Sequence, residues 1–428
     1  MPDLRVAFYG DDFTGSVDVL LQFTRAGWRS RLFLDTPGAD ELPRAAAEVD
    51  VVGIAGIARS LPTEAIEAEV RPALAALAAL RPRVVQYKAC STADSSPTVG
   101  NLGRVIEVAR DVFGTATVPV LFAQPDFGRY TSFGHHFAAE GGTVYRLDRQ
   151  PTMSRHPVTP MQESELAKHL GRQTELPIGS LHFVDYRDAP TVAALLAQRT
   201  EAAVVLDALD DEHLELVAEA IVADAAPGSP RFAIGSGGLS TGLGRALHRE
   251  GDGEGHEERA LNPEGPVLAV SGSRSPQTAL QIDAARQAGW SIVALPLGDP
   301  DPLGDVLDAV LEALAAGRSV AVTTGDTELP GAGAEFVGTI SAHLAAIVEA
   351  AVRGGVTRRV IVCGGDTSSR VLRLLGAESL TIAANPVGNV VLCAVGSPDA
   401  RLDGTEMLLK GGQVGPTDLF ERVRTLTG

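Results

Sequence analysis

The sequence predicts an α/β protein of two domains, each a mostly parallel β-sheet flanked by helices. Short apolar runs alternate with longer amphipathic stretches along the chain, and this alternation is typical of parallel sheets that are covered on both faces. The chain has 428 residues, of which 45% are hydrophobic and 21% are charged. That length and composition are enough for roughly two to three separately folded cores.

The predicted elements alternate in order along the chain. In the first half we expect strands at 4–9, 50–55, 84–87 and 118–123, a loop at 10–15, and helices at 17–26 and 63–80. In the second half we expect strands in the runs VLAVSG, SIVALPL, SVAVTTG, RRVIVCGG and NVVLCAV. Each of these runs precedes a turn or a helical stretch, as a strand of an α/β sheet does.

A change in composition separates the two halves. Residues 248–266, HREGDGEGHEERALNPEGP, are charged, contain glycine and almost lack large apolar side chains, which is typical of a linker. We therefore place a first domain at 1–247 and a second at 267–428. The alternative is that 248–266 is a surface loop of a single domain.

Charge and cysteine content exclude several classes of function. The 36 Lys and Arg against 54 Asp and Glu give a net charge of −18, which disfavours nucleic-acid and anionic-membrane partners but allows a small anion in a locally basic pocket. The three cysteines, Cys90, Cys363 and Cys393, form no CxxC pair, so we expect neither a disulfide framework nor a thiolate zinc site. With no signal-peptide pattern or membrane-spanning run, we expect a cytoplasmic protein. The oligomeric state stays open between a monomer and a homo-oligomer.

Two adjacent acids, Asp11 and Asp12, directly follow the first predicted strand. Ligands of α/β sheets bind at the carboxyl ends of strands, where these carboxylates could accept hydrogen bonds from hydroxyls or act as a general base. The alternative is that they cap the following helix. A phosphate-binding P-loop is excluded because Ser16 and Val17 stand where Lys and Ser or Thr are required.

A second polar cluster follows the predicted strand at 84–87. Lys88, together with Arg59, is suited to pairing with a carboxylate, and Ser91 and Asp94 are suited to reading hydroxyls. The alternative is that Lys88 and Asp94 form a surface ion pair and that Ser91 caps a helix.

Two further motifs of the first half are assigned structural roles. Adjacent histidines are poor metal ligands because neighbouring side chains point apart, so we expect His135 and His136 to lie exposed in a loop. The GSGG run at Gly235–Gly238 is predicted to be a packing turn. The alternative, a dinucleotide site, lacks the third glycine and the acidic residue about 20 positions later.

Three glycine- or serine-rich turns in the second half predict a nucleotide site. They are SRS at 273–275 before Pro276, GGDTSS at 364–369 and GGQVG at 411–415. Backbone N–H groups at such strand-to-helix turns bind phosphate. Asp366 and the neighbouring hydroxyls are suited to Mg²⁺ and phosphate contacts.

In this order the motifs resemble the four-carbon acid sugar kinase family. The matching segments, which span nearly the whole chain, are GDDFTG at 10–15, Arg59-Ser60, YKACSTADSSPTVGN at 87–101, SRHPVTPM at 154–161, SGSRSPQT at 271–278, CGGDTSS at 363–369 and LKGGQVG at 409–415. The resemblance implies an N-terminal domain that binds the acid sugar, a C-terminal domain that binds ATP with Mg²⁺, and chemistry in the cleft between them.

The same resemblance implies the site residues. The substrate would be held by Asp11, Asp12, Arg59, Lys88, Ala89, Cys90, Ser91 and Asp94. ATP would be held by Ser273, Ser275, Gly364, Gly365, Asp366, Thr367, Gly411 and Gly412, with Asp366 as a candidate metal ligand.

Two departures from the family pattern indicate a subgroup. The usual loop is GGET, whereas this chain has Asp366 in place of Glu, one methylene shorter. The opening FYGDDFTGS replaces the commoner IADD(L/F)TGA and is similar to that of kinases of 3-oxo-isoapionate, a branched sugar acid.

We therefore predict a kinase that transfers the γ-phosphoryl group of ATP to a hydroxyl of a small sugar acid, such as 3-oxo-tetronate, threonate or 3-oxo-isoapionate. Asp12 is the first candidate for the general base and Asp11 the second, while Lys88 and Arg59 bind the carboxylate. Two alternatives stay open: an NAD-dependent sugar-acid dehydrogenase using Gly235–Gly238, and a sugar-acid sensor without turnover.

Overall fold

The computed structural model describes residues 4–224, 229–248, 261–262, 264–273, 275–296, 303–324 and 334–427. The side chains of 334–337 and of Asp366 lie outside this description. The chain divides into two compact units, Met1–His256 and Glu257–Gly428, called here the first and second unit. Most of the predicted linker lies outside the described residues.

The main sheet of the first unit is parallel throughout its described strands. Its order is β2-β3-β1-β4-β11-β5-β10-β9. The strands are β1 Val6–Gly10, β2 Ser30–Phe33, β3 Val51–Ala55, β4 Val84–Lys88, β5 Val118–Leu121, β9 Ile178–Leu181, β10 Ala203–Leu206 and β11 Arg231–Gly235. The helices are α1 Phe13–Arg25, α2 Glu41–Ala46, α3 Thr63–Ala79, α4 Leu102–Phe113, α5 Leu166–Gly171, α6 Ala189–Ala197, α7 Asp211–Ala223 and α8 Gly237–Ala246.

The strand order places the chain reversal beside β1. The chain runs from β1 outward to β2, returns through β3, and then continues on the other side of β1 with β4. In open α/β sheets, ligands bind at the carboxyl ends of the strands where this reversal occurs. The fold thus directs attention to the residues that follow β1, β3 and β4.

The core of the first unit forms because β1, β3 and β4 are buried along their whole length. Tyr9 on β1 stacks on Tyr87 on β4 with ring centroids 5.4 Å apart, and its hydroxyl donates to Glu69 Oε1 of α3 at 2.9 Å. Strands buried on both faces read as continuous apolar runs, which is why these strands were predicted correctly.

A small antiparallel sheet is inserted after β5 and was not predicted. It consists of β6 Arg129–Ser132, β7 His135–Glu140 and β8 Thr143–Arg146. Reciprocal backbone hydrogen bonds between Thr131 and Ala208, at 3.0 and 3.1 Å, attach it beside the end of β10. The sheet therefore lies at the carboxyl ends of the parallel strands.

The second unit has a mostly parallel sheet in which one strand, β17, runs in the opposite direction. The order is β13-β14-β12-β15-β18-β17-β16, with β17 antiparallel to both neighbours. The strands are β12 Val267–Ser271, β13 Ser291–Ala294, β14 Val320–Thr323, β15 Arg359–Cys363, β16 Ser379–Val387, β17 Val390–Gly396 and β18 Glu406–Lys410. The helices are α9 Pro276–Gln287, α10 Leu303–Ala315, α11 Ala334–Arg353, α12 Gly365–Leu375 and α13 Leu419–Arg424.

Two predicted loops are shorter than expected because helices begin within them. The expected loop at 10–15 ends at Asp12, whose side chain caps α1 by accepting from Gly15 N. The run at 364–369 is a loop only at Gly364, whose φ of +121° favours glycine, and α12 begins at the next residue. In the part of the chain that the structure describes, no helix is both long and apolar enough to cross a membrane.

Candidate functional site

The carboxyl ends of β1, β3 and β4 bring the predicted substrate residues together. Gly10 lies in register with Ala55 on one side and Lys88 on the other. Beyond the strands the backbone continues the pairing, because Asp11 N donates to Lys88 O and Arg59 N donates to Asp11 O, both at 3.0 Å. These bonds fix the directions in which the three side chains leave the sheet.

Arg59 joins the two adjacent carboxylates. Its Nη2 lies 2.7 Å from Asp11 Oδ1 and 2.9 Å from Asp12 Oδ1. The Asp11 side chain is 3% exposed and that of Asp12 is 29% exposed. Of the two acids, Asp12 is therefore the one that a ligand in solution can reach.

Burial and charge act in opposite directions on Asp11. Burial raises the pKa of Asp11 to about 6, an effect that the positive charge of Arg59 opposes. Burial also lowers the pKa of Arg59, but the neighbouring carboxylates outweigh it and hold that pKa well above its ordinary value. At neutral pH both groups are ionised, so the Asp11–Arg59 ion pair is a fixed element of the site.

Asp12 is both the helix cap and a candidate ligand-binding group. Its Oδ1 accepts from Gly15 N at 2.9 Å as the N-cap of α1. Asp12 therefore does cap the helix, but this role uses only its Oδ1 atom. In the described residues Oδ2 has no hydrogen-bond or ion-pair partner, which leaves one carboxylate oxygen for a ligand.

Lys88 is a buried residue whose Nζ makes no direct contact with an acceptor among the described residues. It is 3% exposed, and none of the hydrogen bonds or ion pairs of the described residues involves its Nζ. A β-carbon built on Gly15 would lie 2.9 Å from this Nζ and 2.4 Å from Asp12 Oδ1. The ammonium therefore lies at the first turn of α1 beside Asp12, and the alternative of a surface pair with Asp94 is wrong.

The segment after β4 is held by its own side chains. Cys90 Sγ lies 3.1 Å from Thr92 Oγ1, which donates to Asp94 Oδ1 at 2.7 Å. Burial and the Asp94 charge raise the pKa of the Cys90 thiol, so it is not an activated nucleophile. Ala89 N donates to Gly235 O at 3.0 Å. Ala89 and Asp94 therefore shape the loop, and Ser91 does not cap a helix because Asn101 caps α4.

His136 contradicts the prediction of an exposed loop histidine. It lies on β7 and is fully buried, whereas His135 is half-buried. Its Nε2 lies 2.7 Å from Ser91 O and its Nδ1 lies 2.9 Å from Thr131 Oγ1. Because a carbonyl only accepts, Nε2 carries the proton and Thr131 donates to Nδ1. His136 thus connects the small sheet to the candidate substrate loop.

A second buried histidine supports the same loop from α5. Ser95 Oγ lies 2.9 Å from His169 Nε2 and accepts from Gln173 Nε2 at 2.9 Å. Gln173 Oε1 in turn accepts from Leu102 N at 2.8 Å. Sequence reasoning missed His136, His169 and Gln173 because each reaches its partner across many residues of sequence.

These histidines make stability dependent on pH. Burial lowers the pKa of His136 to about 4, below the value of about 6.5 expected in the unfolded chain. The unfolded state therefore binds a proton at this histidine more tightly than the folded state does. As a result, the free energy of unfolding falls by roughly 3 kcal/mol as pH decreases from about 6.5 to 4.

The variant His136→Gln tests this, because Gln keeps an N–H for Ser91 O but does not titrate. We expect its free energy of unfolding, measured by urea denaturation, to fall less than that of the wild type over this pH range. The difference isolates His136, since all other groups titrate in both proteins. Equal slopes would contradict the assignment.

The Gly235–Gly238 turn packs against neighbouring backbone, as predicted. A β-carbon on Gly238 would lie 2.0 Å from Ala123 O, and one on Gly235 would lie 2.7 Å from Leu121 O. Ser236 caps α8 and its hydroxyl donates to Ala123 O at 2.9 Å. The glycines are needed for the close approach of β11 to the end of β5.

In the second unit, the three predicted nucleotide turns also follow adjacent strands. Cys363 is in register with Ser271 and with Lys410. Gly272 and Ser273, Gly364 with the start of α12, and Gly411 and Gly412 therefore lie at one edge of the sheet. A β-carbon on Gly412 would lie 2.4 Å from Ser273 Oγ, and one on Gly364 would lie 3.1 Å from Thr367 Oγ1.

This edge presents groups suited to phosphate. Ser275 Oγ is buried and has no hydrogen-bond partner among the residues that the structure describes. It stands at the start of α9, where Pro276 occupies the first turn as predicted. Gly365 is exposed at the start of α12. Helix N-termini of this kind offer free N–H groups to anions.

The metal prediction rests on a side chain outside the described residues, Asp366. Among the described residues, no group of three or more His, Cys, Asp or Glu side chains could hold a metal ion. Mg²⁺ commonly binds through one or two carboxylates together with substrate phosphates.

Lys410 is a residue that sequence reasoning named only as part of a motif. It is 2% exposed, and its Nζ donates to Thr278 Oγ1 at 3.0 Å and to Gly412 O at 3.3 Å. The chain contains only three lysines, Lys88, Lys168 and Lys410. Two of the three end buried strands beside the candidate sites, a signal that was available in the sequence.

Comparisons with known proteins also assign sugar binding to the first unit and nucleotide binding to the second. The model of a family described as Sugar-binding N-terminal domain matches residues 6–243, and that of a Nucleotide-binding C-terminal domain matches 268–420. The 3-oxo-isoapionate kinase of Paraburkholderia graminis is 36% identical over 98% of this chain and 94% of its own. The 3-oxo-tetronate kinase of Methylobacterium radiotolerans is 33% identical over 98% of both. A crystal structure from Salmonella typhimurium LT2 has a TM-score of 0.80 at 26% identity, covering 98% of both chains.

The fold, the two clusters and these matches define a protein with a sugar-binding and a nucleotide-binding domain. The chain belongs to the four-carbon acid sugar kinase family. The predicted α/β fold, family and kinase class are thereby confirmed, and the kinase is favoured over the dehydrogenase and the sensor.

Proposed function

We propose that this enzyme transfers the γ-phosphoryl group of ATP to a hydroxyl of a 3-oxo sugar acid, with branched 3-oxo-isoapionate as the first candidate and 3-oxo-tetronate as the second. The order follows the identities of the relatives with those names, 36% and 33%, and the FYGDDFTGS opening. The first unit would bind the acid, and the second would bind ATP with Mg²⁺.

The observation that carries the proposal is the buried ammonium of Lys88, whose Nζ takes part in no hydrogen bond or ion pair of the described residues. The Asp11 charge acts on it without direct contact. Buried N–H donors that lack an acceptor cost free energy, so this ammonium favours an anionic ligand. The carboxylate of a sugar acid is such a ligand. Arg59 is already neutralised by Asp11 and Asp12, and we therefore assign the carboxylate to Lys88 and the positioning of the two acids to Arg59.

The free oxygen of Asp12 supports its assignment as the general base. In the proposed step the substrate hydroxyl oxygen forms a bond to the γ-phosphorus, the bond from that phosphorus to the β–γ bridging oxygen breaks, and ADP leaves. The hydroxyl proton passes to Asp12 Oδ2. Positioning and charge neutralisation carry most of the catalysis in phosphoryl transfer, which is consistent with a site of paired charges.

We also propose six further residues as ligand contacts: Cys90, Ser91, Ser273, Gly365, Thr367 and Gly411. Their support is location: each lies directly after a strand of one of the two clusters, Gly365 and Thr367 in the first turn of α12 and the others in a loop.

Turnover on a panel of acids tests the proposed reaction. ATP consumption is measured with 3-oxo-isoapionate, the 3-oxo-tetronates, threonate and erythronate, and phosphorus NMR locates the phosphate in the product. We expect turnover on a 3-oxo acid and little on the corresponding hydroxy acid. ATP binding without turnover on any acid would contradict the proposed substrate class.

The lysine content allows the two binding sites to be tested separately. Protein labelled with ¹⁵N-lysine has only three lysine backbone amides, from Lys88, Lys168 and Lys410. We expect the acid to shift the Lys88 signal and ADP to shift the Lys410 signal, whereas the exposed Lys168 serves as an internal control. The opposite pattern would reverse the assignment of the two units.

A further inference from the structure

Two of the three turns of the candidate nucleotide site, those after β12 and β18, are joined by one buried hydrogen-bond network. Thr278, on the first turn of α9, is fully buried. Its Oγ1 donates to Gly412 O at 2.8 Å and accepts from Lys410 Nζ at 3.0 Å. The same oxygen lies 3.4 Å from Ser273 Oγ, so Thr278 contacts the turns after both β12 and β18.

The network holds two turns at a distance that only glycine permits. A β-carbon on Gly412 would lie 2.4 Å from Ser273 Oγ and 2.8 Å from Ser275 Cβ. Ser275 N donates to Ser273 Oγ at 3.2 Å. Gly412 therefore packs directly against Ser273 and Ser275. The distance between them depends on the hydrogen bonds that Thr278 and Lys410 make.

Lys410 contributes a buried amine without a counter-ion. Its partners are a hydroxyl and a carbonyl, and among the described residues no carboxylate forms an ion pair with it. Burial lowers the pKa of Lys410. An anion bound at the neighbouring turns would favour the protonated form of Lys410, so the network and an anionic ligand stabilise each other.

We infer that Lys410 and Thr278 are positioning residues for nucleotide binding. They hold the Gly412 turn against Ser273 and Ser275, and the charge of Lys410 favours binding of the nucleotide phosphates. The inference rests on the proposed function, since it assumes that the second unit binds ATP. It adds two residues that do not themselves touch the nucleotide but set the spacing of the groups that do.

A matched set of threonine variants tests the inference. Thr278→Val keeps the shape of the side chain and removes its hydroxyl, whereas Thr278→Ser keeps the hydroxyl. The control is Thr357→Val in the same unit: Thr357 is also buried, and its hydroxyl contacts Pro266 O and Arg359 O at 2.7 and 3.0 Å. It lies before β15, at the other end of the strands.

Isothermal titration with ADP and the Michaelis constants for ATP and the acid provide the measurements. We expect Thr278→Val to weaken ADP binding and raise KM for ATP about tenfold, the scale of a lost hydrogen bond to a charged group. KM for the acid stays constant, Thr278→Ser restores ADP affinity, and Thr357→Val lowers Tm without changing ADP affinity. Lys410→Met, a second route to the same network, behaves as Thr278→Val.

Three results would overturn the inference. Wild-type ADP affinity in both Thr278→Val and Lys410→Met removes the positioning role. Equal losses in Thr278→Val and Thr357→Val indicate general destabilisation of the second unit. If the wild-type enzyme does not bind ADP, both the proposed function and this inference are wrong. That result is distinct from the first two because it is measured on the wild type alone.

Discussion

Replacing Asp12 by Asn is expected to lower kcat by ~10²-fold or more, the scale of a lost general base. Asn cannot take the hydroxyl proton, but its Oδ1 can still accept from Gly15 N, and Asn is as good an N-cap as Asp. The fold should therefore persist, with a modest loss from the broken contact to Arg59. Steady-state kinetics and thermal unfolding measure the two effects separately.

Asp188→Asn is the matched control for the cap. Asp188 is the N-cap of α6 and accepts from Thr191 N at 2.8 Å, in the same unit but at an exposed position. We expect a similar change in Tm and an unchanged kcat. Wild-type kcat in Asp12→Asn would remove the proposed role.

Asp11→Asn distinguishes the two adjacent acids. Because the Asp11 side chain is 3% exposed and paired with Arg59, its replacement should chiefly lower the free energy of unfolding. Arg59 keeps Asp12 at 2.9 Å, so the loss should be smaller than the roughly 3–5 kcal/mol of a buried charge left without any partner. If Asp11→Asn instead lowers kcat more than Asp12→Asn does, the base is Asp11.

The sequence was sufficient to predict the central cluster because of a property of parallel sheets. Asp11 directly follows β1 and Lys88 ends β4, and the carboxyl ends of parallel strands share one edge. Once the apolar runs are recognised as strands, the residues that follow them are brought together without any knowledge of loop structure. The same reasoning places the three turns of the second unit.

The supports of that cluster could not be predicted in the same way. His136 reaches Ser91 across 45 residues and Gln173 reaches Ser95 across 78, and no local pattern encodes such pairs. The period of a strand does explain the contrast between the histidines: on β7, His136 points inward and His135 outward. The small sheet itself was missed because its strands are short and only partly buried.

The partner of Arg59 also depended on three-dimensional structure. Both Arg59 and Lys88 were expected to bind the substrate carboxylate. Only the geometry shows that Arg59 forms ion pairs with two acids, whereas Lys88 forms no hydrogen bond or ion pair within the described part of the chain. Two residues of the same charge, Arg59 and Lys88, therefore differ in how readily they can bind a ligand carboxylate.

Lys88→Met is expected to weaken binding of the acid without destabilising the protein. Loss of a charge-assisted hydrogen bond raises KM for the acid by roughly 10- to 100-fold, while KM for ATP stays constant. Replacing the ammonium by an apolar side chain of similar length removes a desolvation cost, and it also removes the attraction between Lys88 and the Asp11 carboxylate. Because these two effects oppose each other, Tm should stay close to the wild-type value.

Lys168→Met provides the control for this last prediction. Lys168 is exposed and forms an ion pair with Glu165 at 2.6 Å, and exposed pairs contribute about 0–1 kcal/mol. We expect neither Michaelis constant to change. A purely structural Lys88 would give a lower Tm with a proportionate loss of all activity, whereas a substrate-binding Lys88 gives a selective rise in one Michaelis constant at undiminished stability. The two roles therefore differ both in the expected Tm and in whether one or all kinetic constants change, so this pair of variants decides between them.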